Sequence, residues 1–309
     1  MEWKTKVTEM LGCKYPIIQG AYGGFGTSAI AAPVSAAGGL GIITASALRT
    51  PERLREDIHR AREMTDQPFG VNLSLGICPH IDEMREVAIA ERVPVIFTSV
   101  YNAEQHGRRI KEAGLVWIHK VAAMKHALAA ERHGADAVVI VGIEGTGEKG
   151  AQQVTTLINI TNAVRRLHVP VIAAGGIGDA RGFLAALAMG AEAVYMGTAF
   201  MATKECPISA AYKQALLEGD PFDPKLRERT FRPPNPERDA RLRRGESSVP
   251  RNWEVPLAED ATELRMAGGS MAVGVLDKLV SVKELIDGII HGAEEILAGD
   301  SPLGRVARS

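Results

Sequence analysis

The chain has 309 residues, 46% of them apolar and 24% charged, with a formal net charge of −1. That length and balance fit one large hydrophobic core or two ordinary domains and exclude a disordered or fibrous chain. With no basic excess and no run of eighteen apolar residues, the sequence argues against a nucleic-acid partner and against a membrane-spanning helix.

The N-terminal stretch carries charges ahead of its short apolar run and lacks the apolar centre of a secretion signal. Cys13, Cys78 and Cys206 lie far apart and make neither a disulfide framework nor a CxxC metal or redox pair. A reducing, cytoplasmic setting without a bound metal is the expectation.

Short apolar, β-branched runs then alternate with longer helical patterns. In chain order, strand 17–19 is followed by helix 28–37, strand 40–44 by helix 51–64, and strand 69–72 by helix 80–91. Strand 94–99 precedes helix 102–113, strand 116–121 precedes helix 122–133, and strand 137–143 precedes helix 154–166. Strand 170–174, helix 180–189 and strand 193–196 complete the series. Thr50-Pro51-Glu52 offers a capping hydroxyl, a proline where no N–H is needed, and an early acid. Gly114 and Gly134 fall just past helices, where a left-handed cap suits glycine.

The strands are continuous apolar runs, as expected when helices cover one face and a core fills the other. Eight strands and seven crossovers predict a (β/α)8 TIM barrel, one domain over 1–309 with a C-terminal extension and helices. The rival, an open doubly wound sheet, would need GxGxxG after the first strand. The chain instead has Gly20-Ala21-Tyr22-Gly23-Gly24-Phe25-Gly26. After Phe200 the regularity fails. Residues 223–252 hold nine Lys or Arg, five Asp or Glu and five prolines. They are expected to form a surface excursion: a solvated loop, a lid that meets a phosphate-bearing substrate, or the arm of a homodimer. Helices at 263–267 and 282–297 are expected to close the chain.

In such a barrel the loops that follow the strands share one face, and reactive groups gather there. Ala174-Gly175-Gly176-Ile177-Gly178 follows the seventh strand, and Gly197-Thr198 follows the eighth. Small residues at those two positions let backbone N–H groups approach a phosphate, and the Thr198 hydroxyl is a further donor. Gln19 and Asn72 end the first and third strands, with amides suited to a heteroaromatic ring. Thr98 and Ser99 end the fourth strand, and Lys120 lies near the end of the fifth. His119 and His126 lack motif support and are expected to serve the core, a cap or the surface.

Several motifs together resemble one family. Pro16-Ile17-Ile18-Gln19-Gly20, Ala36-Ala37-Gly38-Gly39-Leu40-Gly41 and Phe69-Gly70-Val71-Asn72 look like the nitronate monooxygenase family, which includes FMN-dependent enoyl-acyl-carrier-protein reductases and NAD(P)H:quinone reductases. The likeness continues through Gly134-Ala135-Asp136-Ala137 and Gly190-Ala191-Glu192-Ala193-Val194-Tyr195-Met196-Gly197-Thr198. It implies non-covalent FMN, with Gln19, Gly20, Asn72 and Lys120 at the ring and Gly175, Gly176, Gly197 and Thr198 around the phosphate. Ala267-Gly268-Gly269-Ser270 resembles a family segment that returns to the cofactor, which adds Gly268 and Gly269.

One departure matters. Where the family usually has Glu-Ala-Gly-Gly-His-x-Gly, this chain has Glu144-Gly145-Thr146-Gly147-Glu148-Lys149-Gly150. Glu148 replaces a histidine that abstracts or positions a substrate proton, and a carboxylate is the weaker base unless burial raises its pKa. Glu148 and Lys149 are therefore the catalytic candidates. The resemblance implies oxidation of an alkyl nitronate with O2 by one-electron transfer to FMN. The alternatives are reduction of an enoyl thioester or quinone with NADH or NADPH, and a non-catalytic FMN-binding protein. The substrate is accordingly a small molecule or an acyl thioester.

Overall fold

Two sets of buried side chains alternate along the strands of this chain, whose computed structural model describes residues 1–147, 150–233, 235–237, 240, 269–299 and 301–307. The strands are β1 (Ile17–Gln19), β2 (Gly41–Thr44), β3 (Phe69–Ser74), β4 (Val95–Ser99), β5 (Val116–Val121), β6 (Ala137–Val141), β7 (Val171–Ala174) and β8 (Ala193–Met196). Ile18, Ile42, Phe97, Ile118, Ile172 and Tyr195 fill one cluster inside the barrel. Ile17, Ile43, Ile96, Trp117, Ala173 and Val194 belong to a second, beneath the helices. Burial on both faces explains why the strands read as unbroken apolar runs.

All seven ladders are parallel, in the order β1-β8-β7-β6-β5-β4-β3-β2. A single bridge, Ile18 to Leu40, brings the two ends together and makes the sheet a (β/α)8 barrel. Gln19 stitches this seam. Its N–H donates to the Leu40 carbonyl at 2.9 Å, and its side-chain Oε1 accepts from the Ile42 N–H at 2.9 Å. Its Nε2 donates to the Gly20 carbonyl. An amide side chain thus supplies the acceptor for a β2 amide at the seam.

The elements fall close to the expected ranges, with the same ends for β1, β5, β8 and helix Pro51–Met64. Thr50 caps Arg53, and Gly114 and Gly134 adopt φ of 74° and 91°. β6 stops at Val141, short of the expected 143, because a tight turn joins the Gly145 N–H to the Gly142 carbonyl. β3 runs on to Ser74, paired with Ser99. Beyond the expected elements, helices cover Lys6–Leu11, Ala45–Leu48, Thr198–Met201 and Ala210–Leu217.

Within the 223–252 excursion Pro224–Thr230 is a helix, with Asp223 accepting from the Lys225 N–H and Pro224 in the first turn. Residues 234, 238–239 and 241–268, including the helix expected at 263–267 and Gly268, lie outside the described residues. Helix Val282–Ala298 begins at a Ser281–Glu284 capping box and buries Ile286, Ile289 and Ile290 against the outer layer. No helix among the described residues is long and apolar enough to cross a membrane.

The seam yields a stability prediction. Gln19→Leu keeps the bulk but leaves the Ile42 N–H buried without its acceptor, which costs about 1–3 kcal/mol in urea unfolding of the flavin-free protein. An unchanged midpoint would show that the seam does not depend on this amide.

Candidate functional site

The alternation that fills the barrel also decides which polar residues reach its interior. At the carboxyl ends of β3, β4 and β5, the inward set consists of Asn72, Ser74, Ser99 and Lys120. Ser74 pairs in register with Ser99, and Ser99 with Lys120. Lys120 Nζ lies 5.9 Å from the centre of the Tyr195 ring, which comes from β8. Phe97 and Tyr195 approach to 6.2 Å between ring centres. The inner end of the barrel is therefore an aromatic floor with a cation and an amide beside it.

Asn72 is fully buried. Its Nδ2 donates to Ser74 Oγ at 2.9 Å, and Ser99 Oγ donates to the same Ser74 Oγ at 3.1 Å. Its Oδ1 has no hydrogen-bond partner among the described residues. Turning the amide over would move the unanswered atom from oxygen to nitrogen without removing it. A buried amide end left unsatisfied costs about 1–3 kcal/mol, and a ring N–H from a bound heterocycle would satisfy it. Gln19, by contrast, follows the outward set, and both its polar atoms serve backbone at the seam.

The glycines of the site divide by cause. Gly175 and Gly176 have φ of 106° and 72°, and a Cβ on Gly175 would lie 2.8 Å from Thr156 Oγ1. Chain geometry alone accounts for both. A Cβ on Gly20 would stand 2.9 Å from the Gly197 Cα, so the packing of two neighbouring strand ends accounts for it. Gly197 is different. Its φ is −95°, and among the described residues an added Cβ would meet nothing nearer than Tyr22 Cε1 at 3.9 Å. Neither backbone nor packing requires glycine there. Its absent side chain leaves room for a ligand to approach the backbone at the start of Thr198–Met201, as a phosphate would.

The surroundings of Gly197 are tied down. Tyr22 Oη donates to its carbonyl at 2.8 Å, and burial holds the phenol well above its ordinary pKa, so it stays a donor. The Tyr195 hydroxyl accepts from the Ala21 N–H at 2.7 Å. Thr198 Oγ1 donates to Ser270 Oγ and accepts from the Ser270 N–H, both at 2.9 Å. That exchange occupies the Thr198 proton and leaves Ser270 its own for a further acceptor. Arg229 Nη2 donates to the carbonyl of Gly269 at 2.9 Å, which anchors the returning segment with a cation. Glu144 ties in a second point: its side chain accepts from the N–H and hydroxyl of Thr156, and its carbonyl accepts from the Met271 N–H at 3.0 Å.

Of the expected site residues, then, Asn72 and Lys120 share the barrel interior, while Gly197, Thr198 and Gly269 meet at the end of β8. Gly175 and Gly176 lie beside the Glu144 loop. Glu148 and Lys149 lie outside the described residues. Sequence reasoning did not single out Ser270, Arg229, Glu144 or Tyr195, because their roles depend on partners far along the chain. Tyr195 at least carried a signal, since its place in the alternation of β8 puts it inside the barrel.

Two glycine variants separate ligand space from fold space. Gly197→Ala should leave unfolding within about 0.5 kcal/mol of the parent and weaken FMN binding, followed by flavin fluorescence, about tenfold or more. Gly176→Ala should cost about 1–2 kcal/mol of stability through its left-handed backbone. Tight FMN binding by the Gly197 variant would contradict the assignment.

The geometry can now be set beside known proteins. The family model described as nitronate monooxygenase matches residues 4–232. A protein of Mycobacterium tuberculosis named (3aS,4S,5R,7aS)-5-hydroxy-7a-methyl-1-oxo-octahydro-1H-indene-4-carboxyl-CoA dehydrogenase is 37% identical over 71% of this chain, which spans 61% of that protein's length. A probable nitronate monooxygenase of Staphylococcus saprophyticus is 32% identical, covering 72% of this chain and 75% of its own. The structure of FabK from Thermotoga maritima superposes with a TM-score of 0.81 at 34% identity, covering 95% of this chain and 97% of that one. With a barrel of the expected topology and a family match that runs from the first helix past the last strand, the chain belongs to the nitronate monooxygenase family.

Proposed function

We propose that this chain is an FMN-dependent oxidoreductase acting on a thioester-linked substrate of the coenzyme A or acyl-carrier type. The observation that carries the flavin reading is the pairing of Gly197, a glycine with open space beside it, with the unanswered buried amide of Asn72. When bound, FMN supplies a ring that exchanges hydride or single electrons. The chain's own residues bind and orient. Asn72 Oδ1 accepts from a ring N–H, and the Lys120 ammonium favours an electron-rich ring edge. The backbone at Gly197 and the Ser270 hydroxyl serve the phosphate.

The thioester reading draws support from two relatives, of Mycobacterium tuberculosis and Rhodococcus jostii, whose names specify a carboxyl-CoA and which are 37% and 36% identical. The sequence supports it as well, because Glu148 occupies the place of the family histidine. In this reading Glu148 handles the substrate proton, Lys149 orients a carbonyl, and NADH or NADPH is the reductant. The basic excess of 223–252 suits the phosphates of a nucleotide or an acyl carrier. Three buried free thiols agree with a reducing, cytoplasmic setting. Nitronate oxidation is the second reading, favoured by the family model and by the 32% identical staphylococcal relatives. A non-catalytic FMN-binding protein is the third.

Anaerobic rapid mixing of the FMN-loaded protein separates them. The proposal expects NADH or NADPH to bleach the flavin absorbance and crotonyl-CoA to restore it. Bleaching by propyl-2-nitronate alone would favour the second reading, and no response to any of them the third. Glu148→Gln should lower turnover about a hundredfold with FMN affinity unchanged; full turnover would remove Glu148 from the proton path.

A further inference from the structure

The last turn of helix Pro224–Thr230 carries Arg229, a half-buried arginine. A cation in a last turn suits the helix dipole. This one does more, reaching across 40 residues of sequence to donate from Nη2 to the Gly269 carbonyl at 2.9 Å. Its Nε is buried without a hydrogen-bond partner, and the guanidinium makes no ion pair among the described residues. Asp223, the carboxylate that acts on it through space, is engaged as the cap of the same helix. The Tyr212 hydroxyl is also buried and has no partner among the described residues. It supplies no negative charge, because burial pushes the phenol up to about 12. A charge taken out of water without a counter-ion is costly. Burial accordingly holds the Arg229 pKa below the ordinary arginine value.

Packing fixes where this cation sits. A Cβ on Gly274 would stand 2.6 Å from Pro221 Cγ, and one on Gly219 would stand 2.9 Å from Val273 Cβ. The chain leading into the helix is therefore seated tightly on the turn Met271–Val275. Leu216, one turn along its helix from Tyr212, would lie 2.9 Å from a Cβ on Gly269. From Gly269 the hydrogen bonds run on toward the end of β8. The Gly269–Ser270 peptide accepts from Arg229 at its carbonyl and donates from its N–H to Thr198 Oγ1 at 2.9 Å. Ser270 Oγ accepts from the Ala272 N–H at 3.1 Å, and the Thr198 and Ser270 hydroxyls share one proton at 2.9 Å. Two hydroxyls that share one proton keep one over, and it has no acceptor among the described residues. A cation on the carbonyl polarises the peptide, and each bond in such a chain strengthens the next. Gly197, Thr198, Gly269 and Ser270 are themselves uncharged, so the positive charge bonded to this frame is that of Arg229.

We propose that Arg229 is a positioning residue for the cofactor phosphate: acting through the Gly269–Ser270 peptide, its guanidinium supplies the charge that makes the end of β8 select a phosphorylated flavin over riboflavin. The proposal rests on the flavin reading of the site. A side chain needed only to brace the segment could be a neutral donor. A cation without a counter-ion, one peptide away from a spare hydroxyl proton, is balanced by an anion.

Fluorescence titration with FMN and with riboflavin reads this preference directly, since the two differ only in the phosphate. The parent should bind FMN about a hundredfold more tightly or better. Arg229→Gln keeps a donor for the Gly269 carbonyl without the charge. It should cut the preference about tenfold while riboflavin affinity stays within about twofold. Arg229→Lys keeps both charge and donor, and should retain the preference to within about threefold, because the bond to Gly269 is single rather than bidentate. In the parent, phosphorus NMR of bound FMN should show a dianion at about pH 5.5, since a cation lowers the phosphate pKa from its free value of about 6. The idea is overturned if Arg229→Gln keeps the full preference or weakens both flavins equally. It is overturned too if Arg229→Lys loses the preference, or if the bound phosphate titrates like the free ester. Where a variant fails to fold, the parent's preference and phosphate titration still decide. A parent that binds FMN no better than riboflavin sinks this proposal and leaves the flavin reading; one that binds neither sinks both.

Discussion

A parallel strand buried on both faces has little room for a polar side chain except near its end. In this chain the constraint sets the location of the chemistry. Apolar residues occupy both faces through the middle of the barrel, and along β3, β4 and β5 the inward set turns polar at the strand ends, at Asn72, Ser74, Ser99 and Lys120. Those four belong to three neighbouring strands and are linked by register. The buried amide of Asn72 is then the sharpest local feature, because among the described residues one end has a partner and the other has none. The same closure explains the seam, where an amide side chain completes the pairing between β1 and β2.

At the opposite side of the barrel mouth, the glycines matter for different reasons, and separating them gives the site its direction. Gly175 and Gly176 answer to backbone torsion, and Gly20 answers to a neighbouring strand. Gly197 answers to neither. Around it, Tyr22, Thr198, Ser270 and Arg229 form a braced frame drawn from four separate stretches of chain. A frame braced this way can present backbone N–H groups to an anion without reorganising. In the proposed reading, the interior amide serves the ring of the flavin and the braced glycine its phosphate.

Much of the barrel was legible in the sequence because its signals are local. β-branched runs, Thr50-Pro51, and Gly114 and Gly134 each announce themselves within a few residues. The inner or outer facing of a strand-end residue was not so plain. Gln19 and Asn72 look alike as amides at strand ends, yet Gln19 follows the outward set and serves the seam, while Asn72 follows the inward one. Ser270 and Arg229 could not be found locally, since they act on partners 72 and 40 residues away. The helix Pro224–Thr230 was concealed by charge: only Leu226 and Thr230 are buried, which is too little apolar periodicity to register. For Glu148 and Lys149 the reading still rests on the motif alone.

The central claim is that the inner strand ends of this barrel hold FMN, with the ring at Asn72 and the phosphate at Gly197. A crystal structure of the FMN-reconstituted protein tests it most directly. The account predicts a ring N–H within hydrogen-bonding distance of Asn72 Oδ1 and phosphate oxygens against the backbone of Gly197 and the hydroxyl of Ser270. Flavin bound with its phosphate elsewhere, or an Asn72 amide still unanswered with the flavin in place, would contradict it.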